Sequence, residues 1–219
     1  MTQPKLIPPE AVRPSSPEAR IAGVILAGGQ SLRMGGGDKC LLPLEGTPIL
    51  SHVVARFQPQ VEALVLSANG DPARFAEFSL PVVSDSIDGF AGPLAGVLAG
   101  MDWAAAQGFT HLVSVAADSP YFPPRLVTGL QFACEATGER LAMANSPRDD
   151  GGYFRQPTFT LYDITLRDHL REALQAGLRK VIQWTEPLGC ARVVFEGFGE
   201  DPFFNINTPQ DMAQAKAKD

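Results

Sequence analysis

The chain has 219 residues, the length of one domain or of one domain with small insertions. Hydrophobic residues make up 45% of it and charged residues 19%, a balance that excludes a wholly disordered, collagen-like or coiled-coil protein. The formal net charge is −6, from 18 Lys and Arg against 24 Asp and Glu. Such a chain lacks the basic footprint that nucleic acid or an anionic membrane surface requires, so we expect neither as a partner.

The cysteines and the apolar segments bear on localisation. Cys40, Cys134 and Cys190 lie far apart without a CxxC motif, so the sequence predicts neither a zinc site nor a disulfide framework. Free thiols fit a reducing compartment, and we expect a cytoplasmic protein. Residues 1–20 lack the continuous apolar core of a signal peptide. The apolar stretch 91–101 is too short to cross a bilayer, which needs about 20 residues.

The chain divides at its N-terminus. Residues 1–19 contain five prolines and no apolar periodicity, which predicts a flexible extension. Residues 20–219 contain no internal repeat and no second linker, which predicts one domain.

Strands and helices are predicted to alternate along that domain. Short aliphatic or extended runs predict strands at residues 21–27, 61–66, 80–84, 111–117, 140–144, 153–162 and 192–195. Apolar residues at helical spacing predict helices at residues 48–58, 72–78, 93–107, 123–136, 164–176 and 179–184, and a last helix from Pro209 after the N-cap Thr208. The alternation is typical of an α/β fold with a three-layer, open, mostly parallel sheet. Ligands of such folds bind beyond the carboxyl ends of the strands.

A glycine-rich loop, residues 28–38, follows the first predicted strand. The loop contains Arg33 and leads into Lys39. Backbone N–H groups of such a loop can surround phosphate oxygens, while Arg binds phosphate bidentately and Lys adds a compact charge. The motifs GxxxxGK[ST] and GxGxxG are both absent, so this is neither a P-loop nor a dinucleotide loop. The alternative is a plain surface connection, although such a connection has no need of two cations.

Two carboxylates follow predicted strands at the same sheet edge. Asp118 ends a buried strand and Asp85 ends the third predicted strand. Mg²⁺ prefers one or two carboxylates, with substrate phosphates and water as its other ligands. The alternative for Asp118 alone is a cap of the turn or of the following helix. Together, Lys39, Asp85 and Asp118 are stronger evidence for a nucleotide site than any one of them alone.

Small and polar residues elsewhere give weaker signals. Gly92, Gly96 and Gly100 recur at four-residue spacing, which favours close helix–sheet packing over a direct role in catalysis. Asn205 and Asn207 in the closing segment suit recognition of a polar ring system, and they suit turn and cap chemistry as well.

Four motifs together resemble one family. The segment LAGGQSLRMGGGDKCLLPLEGTPIL, at 26–50, is similar to the opening LAGGxSxRMGxxDK motif of the MobA family of molybdenum cofactor guanylyltransferases. Further matches follow in family order: the Asp85 segment with GPLAG at 92–96, the strand ending at Asp118, and NINTPQD at 205–211. They span nearly all of the predicted domain.

The resemblance implies a Rossmann-like nucleotidyltransferase fold and a reaction. GTP and the molybdenum-molybdopterin cofactor would give the guanine dinucleotide cofactor and pyrophosphate, with Mg²⁺. By family analogy, the contacts to GTP fall on Leu26, Ala27, Gly28, Lys39, Asp85 and Asp118, the last also as metal ligand.

Two positions depart from the family pattern. Relatives carry an Asn just after the second strand, where this chain has Ser67, with Asn69 two positions later. The resemblance leaves the nucleotide contact open between these two residues. Relatives often show His-Pro-Thr where this chain has Gln156-Pro157-Thr158, which leaves open whether the contact with the pterin is the same at Gln156. Together with Asn205 and Asn207, Gln156 is assigned to the pterin side of the site.

The implied chemistry needs positive charge rather than a general base, because a phosphate nucleophile is already anionic near neutral pH. Arg33 and Lys39 would neutralise the departing pyrophosphate. Two alternatives stay open: a related transferase that uses CTP or a sugar phosphate, and an inactive nucleotide-binding adaptor. Other cofactor-biosynthesis proteins and apo-molybdoenzymes are the macromolecular partners that the resemblance suggests.

Overall fold

The structure, a computed structural model, describes residues 19–28, 38–87, 92–196 and 201–215. The strands are β1 (Ile21–Leu26), β2 (Pro43–Leu44), β3 (Thr47–Pro48), β4 (Ala63–Ser67), β5 (Val82–Val83), β6 (His111–Ala116), β7 (Leu141–Pro147), β8 (Tyr153–Asp163) and β9 (Ala191–Val194). The α-helices are α1 (Ile49–Phe57), α2 (Pro93–Ala106), α3 (Leu126–Thr137), α4 (Arg167–Gln175), α5 (Val181–Thr185) and α6 (Pro209–Ala215). The predicted extension lies outside the described residues except for Ala19.

One seven-stranded sheet organises the molecule, in the order β5-β4-β1-β6-β8-β7-β9. Neighbouring strands are parallel except at β8, which runs antiparallel to both β6 and β7. The central strand β1 pairs with β4 on one side and β6 on the other. The predicted open, mostly parallel sheet is confirmed.

Helices cover both faces of this sheet, which confirms the three layers. Alternate residues of β1 show the division, because Ile21 and Ile25 belong to one apolar cluster while Ala22 and Val24 belong to the other. The first cluster contains buried residues of α1, α3 and α6, and the second those of α2, α4 and α5. A strand buried on both faces needs apolar residues at every position, which is why β1 is a continuous aliphatic run.

Several boundaries differ from the sequence prediction. The third predicted strand shrinks to the two residues of β5, which pairs only with β4 at the sheet edge. The helix predicted from Pro123 begins at Leu126, after a turn in which the N–H of Leu126 donates to the carbonyl of Pro123. The predicted helix 72–78 is a 3₁₀-helix capped by Asp71.

The pairing of β7 with β8 is interrupted by a bulge. Ala144 pairs with Gln156 while its neighbour Met143 pairs with Thr160, so the residues between Gln156 and Thr160 have no partner on β7. One of these, Phe159, packs against Phe122 and Phe203, with ring centroids 5.7 and 4.7 Å away. The bulge therefore anchors the C-terminal segment to the core.

Glycines of α2 allow the helix to approach the sheet closely. A Cβ at Gly96 would lie 2.6 Å from Oγ of Ser67, and one at Gly100 would lie 3.0 Å from Cβ of Val24. The predicted packing role is confirmed for these two residues. Gly92 caps α2 with φ 148°, a conformation that favours glycine.

The three cysteines are free, and burial raises the pKa of each thiol to about 12. Across the described part of the chain, every helix is too short or too polar to span a bilayer.

Candidate functional site

The exit of β1 is held from both sides at the carboxyl edge of the sheet. The N–H of Ala27 donates to the carbonyl of Ser67 at 2.9 Å, and the N–H of Ala117 donates to the carbonyl of Leu26 at 3.2 Å. Among the described residues, no atom lies within 4 Å of the place that a Cβ at Gly28 would take. Leu26, Ala27 and Gly28 thus lead from a fixed strand end to the carboxyl edge of the sheet, where ligands of such folds bind.

Lys39 connects the described end of the glycine-rich loop to two distant segments. Its ammonium forms an ion pair with Asp118, which follows β6. The same Nζ donates to Oδ1 of Asn207 at 2.6 Å and to Oδ1 of Asn205 at 3.4 Å. The side chains of Lys39 and Asp118 are only 13% and 20% exposed, so screening by solvent is weaker than at an open surface. The structure brings these four predicted residues together.

The closing segment reaches Lys39 because its backbone is tied down. The N–H of Ile206 donates to the carbonyl of Asp118 at 2.9 Å, and the Ile206 side chain is fully buried. The next residues form a capping box: Oδ2 of Asp211 accepts from the N–H groups of Asn207 and Thr208, both at 2.8 Å, while Oγ1 of Thr208 accepts from the N–H of Asp211. The predicted N-cap role of Thr208 is confirmed.

The electrostatics of Asp211 reflect the same contacts. Desolvation raises its pKa, but hydrogen bonds from Asn207 and Thr208 and the charge of Lys39 together lower it by more, so the pKa lies below its ordinary value. Asp211 therefore stays ionised and keeps the Asn207 turn in place.

A second group of predicted residues lies at the end of β4. Nδ2 of Asn69 donates to Oδ2 of Asp85 at 2.8 Å, and the N–H of Asp85 donates to Oδ1 of Asn69 at 2.9 Å. Asn69 is exposed and Asp85 is half-buried. Ser67, by contrast, is 3% exposed and packs under α2 at Gly96. Of the two residues that the sequence left open, Asn69 is the exposed one.

Arg74 is a residue that the sequence reasoning missed. Its Nε lies 2.5 Å from Oδ2 of Asp38, and its Nη1 and Nη2 donate to the carbonyls of Asp71 and Asn69 at 2.7 and 2.5 Å. In the sequence, Arg74 is a cation in the predicted helix after the Asn69 turn, and this position does not show where its side chain points.

One predicted residue, Gln156, is not joined to the Lys39 group by a hydrogen bond among the described residues, and another, Arg33, cannot be placed relative to it. Gln156 lies on β8, next to β6, and its Nε2 donates to Oγ of Ser146 at 3.1 Å. Within the described ranges, no hydrogen bond links Gln156 to Asn205 or Asn207. Arg33 lies outside the described residues, so its role stays a prediction.

A resident metal would have few protein ligands here. Among the described residues, no group of three or more His, Cys, Asp and Glu side chains converges on one point. Asp118 provides a single carboxylate, 20% exposed, at the sheet edge. This donor set fits Mg²⁺, which retains waters and takes substrate phosphates as ligands, and does not fit a metal held by protein alone.

Comparison with known proteins agrees with this geometry. The family model described as a MobA-like NTP transferase domain matches residues 23–188. The chain belongs to this family. It is 46% identical to a molybdenum cofactor guanylyltransferase from Bradyrhizobium sp., over 92% of this chain and 94% of the relative. It is 48% identical to one from Mesorhizobium japonicum, over 89% of this chain and 94% of the relative. The resemblance read from the four motifs is confirmed.

Solved structures show that this MobA-like chain shares a nucleotidyltransferase fold. Molybdopterin-guanine dinucleotide biosynthesis protein A from Archaeoglobus fulgidus matches with a TM-score of 0.66 at 24% identity, over 90% of this chain and 97% of that one. A 4-diphosphocytidyl-2C-methyl-D-erythritol synthase from Anaerococcus prevotii matches with a TM-score of 0.69 at 15% identity, over 91% and 95%. At these identities the likeness establishes the fold alone.

Proposed function

We propose that this protein transfers GMP from GTP to the molybdenum-molybdopterin cofactor and releases pyrophosphate. The observation that carries the proposal is the contact of Lys39 with Asp118 and Asn207 at the carboxyl edge of the sheet. It gathers a cation, a carboxylate and an amide at the sheet edge where β1 ends. Relatives at 46% and 48% identity that bear the name molybdenum cofactor guanylyltransferase support the choice of substrates.

The transfer is an in-line displacement at the α-phosphorus of GTP. A terminal phosphate oxygen of the pterin forms the new P–O bond, and the bond to the β-phosphate oxygen breaks with its electrons on pyrophosphate. Lys39 neutralises phosphate charge, and we assign Arg33 the same task. Asp118 is the residue that would hold Mg²⁺, which supplies further positive charge to phosphate oxygens when bound. The nucleophile carries its own negative charge, so no side chain needs to remove a proton.

The base end of GTP would meet backbone groups of Leu26, Ala27 and Gly28 and the pair formed by Asn69 and Asp85. Guanine presents a carbonyl acceptor beside an N–H donor, which free backbone groups can match. Adenine reverses part of this pattern, and each neutral group left unpaired costs about 1–3 kcal/mol. One or two such mismatches correspond to roughly ten- to ten-thousand-fold discrimination.

The pterin end is proposed to lie beside Asn205, Asn207 and Gln156.

We further propose that residues 20–219 act as one nucleotidyltransferase domain in the cytoplasm. Cofactor-biosynthesis proteins and apo-molybdoenzymes are the proposed macromolecular partners.

The test is pyrophosphate release with GTP, ATP or CTP and the same pterin acceptor. We expect kcat/KM to favour GTP, and the preference to fall in a Leu26→Thr, Gly28→Ala double variant. No atom of the described residues lies within 4 Å of the Cβ that Gly28→Ala would add, so none of them obstructs this substitution. Equal use of the three nucleotides would overturn the guanylyl assignment. Preference for CTP or turnover with a sugar phosphate would indicate a related transferase, and no release at all would indicate an adaptor.

A further inference from the structure

The guanidinium of Arg74 connects two segments of the site, the one that contains Asp38 and the turn after β4. On one side, its Nε contacts Asp38, which directly precedes Lys39. On the other side, its Nη1 and Nη2 donate to backbone carbonyls of the turn after β4, those of Asp71 and Asn69. Nη1 and Nη2 thus donate to protein carbonyls, whereas Nε lies close to the Asp38 carboxylate as an ion pair without a hydrogen bond.

The surroundings of Arg74 restrict its movement. The guanidinium lies over the ring of Phe75, 4.6 Å from its centroid, and that ring is 1% exposed. The side chains of Arg74 and Asp38 are 28% and 20% exposed, which makes their ion pair less screened than an open surface pair. Only arginine offers a planar group that can donate to two carbonyls while its charge faces a carboxylate, because the ammonium of lysine is a single point.

Each segment that Arg74 contacts leads to one end of the proposed nucleotide site. Asp38 leads to Lys39, whose ammonium meets Asp118 at the phosphate end. Asn69 holds Asp85 through two hydrogen bonds at the base end. A ligand that touches both ends gains affinity from a fixed spacing between them, because the second contact then costs little further ordering.

We propose that Arg74 is a positioning residue that fixes the spacing between the phosphate end and the base end of the nucleotide site. This inference rests on the proposed nucleotide-binding function. It requires that the affinity for GTP depend on Arg74 more than the affinity for guanosine or for pyrophosphate does.

The test compares binding of GTP, guanosine and pyrophosphate to the wild type and to Arg74→Ala, Arg74→Lys and Asp38→Asn. We expect all three variants to lose about tenfold or more in GTP affinity, within the range of coupling energies between residues in one network. Their affinities for guanosine and for pyrophosphate should stay within about twofold of wild type. Asp38→Asn keeps the side-chain size, so it tests the link even if Arg74→Ala unfolds.

The matched control is Arg171→Ala. Nη2 of Arg171 lies 2.6 Å from Oδ1 of Asp102, in a pair whose side chains are each 32% exposed, between α4 and α2. We expect its GTP affinity to be unchanged. In turnover, Arg74→Ala should raise KM for GTP more than it lowers kcat.

Three outcomes would overturn the inference. GTP affinity within twofold of wild type in Arg74→Ala would show that the spacing does not depend on this residue. If guanosine affinity falls as much as GTP affinity, Arg74 supports only the Asn69 turn at the base end. If pyrophosphate affinity falls as much as GTP affinity, Arg74 is a direct phosphate ligand. Wild-type nucleotide preference is measured separately. If another nucleotide is preferred, the proposed guanylyl function fails while the same comparison with that nucleotide still tests Arg74.

Discussion

The ammonium of Lys39 forms an ion pair with the carboxylate of Asp118, and Oδ1 of Asn207 lies 2.6 Å from the same nitrogen. Three segments far apart in the sequence therefore meet at one cation. Because the carboxylate keeps Lys39 in place, a change at Asp118 alters both the proposed metal ligand and the position of the phosphate-binding charge.

We expect Asp118→Asn to abolish turnover and to leave the fold intact. Asn keeps the volume and one oxygen but lacks the charge that would hold Mg²⁺, while Asn205 and Asn207 still accept from Lys39. Pyrophosphate release and thermal unfolding measure the two effects. The control is Asp163→Asn, which should stay active. Asp163 is a helix cap whose Oδ1 accepts from the N–H of Thr165. Wild-type-like turnover of Asp118→Asn would leave Asp118 as a turn cap, because Asn and Asp cap similarly.

Asn69→Ala should weaken GTP binding, and Ser67→Ala should change it little. The first substitution removes both hydrogen bonds to Asp85 and is expected to cost about tenfold in affinity, on the order of one net hydrogen bond. The second changes a side chain that is 3% exposed beneath α2. Calorimetric titration with GTP measures both. If Ser67→Ala loses affinity and Asn69→Ala does not, the contact belongs to Ser67.

Gly96→Ala should lower the free energy of unfolding by about 1–3 kcal/mol, the usual cost of an overpacked core. The new Cβ would lie 2.6 Å from Oγ of Ser67 and 2.9 Å from Cδ2 of Leu26, so α2 must move away from the sheet. Urea denaturation measures the loss. Adding Ser67→Ala removes the nearer atom and should restore part of the stability. An unchanged midpoint in Gly96→Ala would mean that α2 shifts without cost.

His111 should make the protein less stable as the pH falls below about 6.5, the ordinary pKa of histidine. Desolvation lowers the pKa of His111 in the folded state, although the charges of Asp163 and Glu135 oppose the shift. Between the two pKa values the unfolded chain binds more protons, so stability rises with pH in that window. His111→Gln should flatten the difference in unfolding free energy between pH 7 and pH 5. A difference equal to that of the wild type would assign the pH dependence to other groups.

A chain that begins at Arg20 should keep its kcat/KM. Residues 1–19 contain five prolines and no apolar periodicity, so we expect them to be dispensable for turnover. Arg20 itself must remain, since its N–H donates to Oγ1 of Thr110 and its Nε pairs with Glu62. Steady-state turnover of the truncated and the full chain compares the two. A folded truncation that loses most of its kcat/KM would contradict the prediction. Removal of Arg20 as well is expected to lower the melting temperature.

Local patterns in the sequence were enough to predict most of the secondary structure and the three layers. The aliphatic run of β1 is visible because both faces of the strand are buried, and the Thr208–Asp211 cap is visible because its partners are three residues apart. The antiparallel direction of β8 and the shortness of β5 were not predictable in this way. Both depend on which strand lies alongside, and that neighbour is distant in the sequence.

For the candidate site, the sequence was enough to propose Lys39, Asp118 and the closing asparagines, since they lie in motifs of an identifiable family. Their contacts were not. Side-chain direction at a loop or strand end follows no period, so only the folded chain decides that Ser67 turns under α2 while Asn69 stays exposed. The same holds for Arg74, an arginine in a short helix until tertiary structure sets it between Asp38 and Asn69.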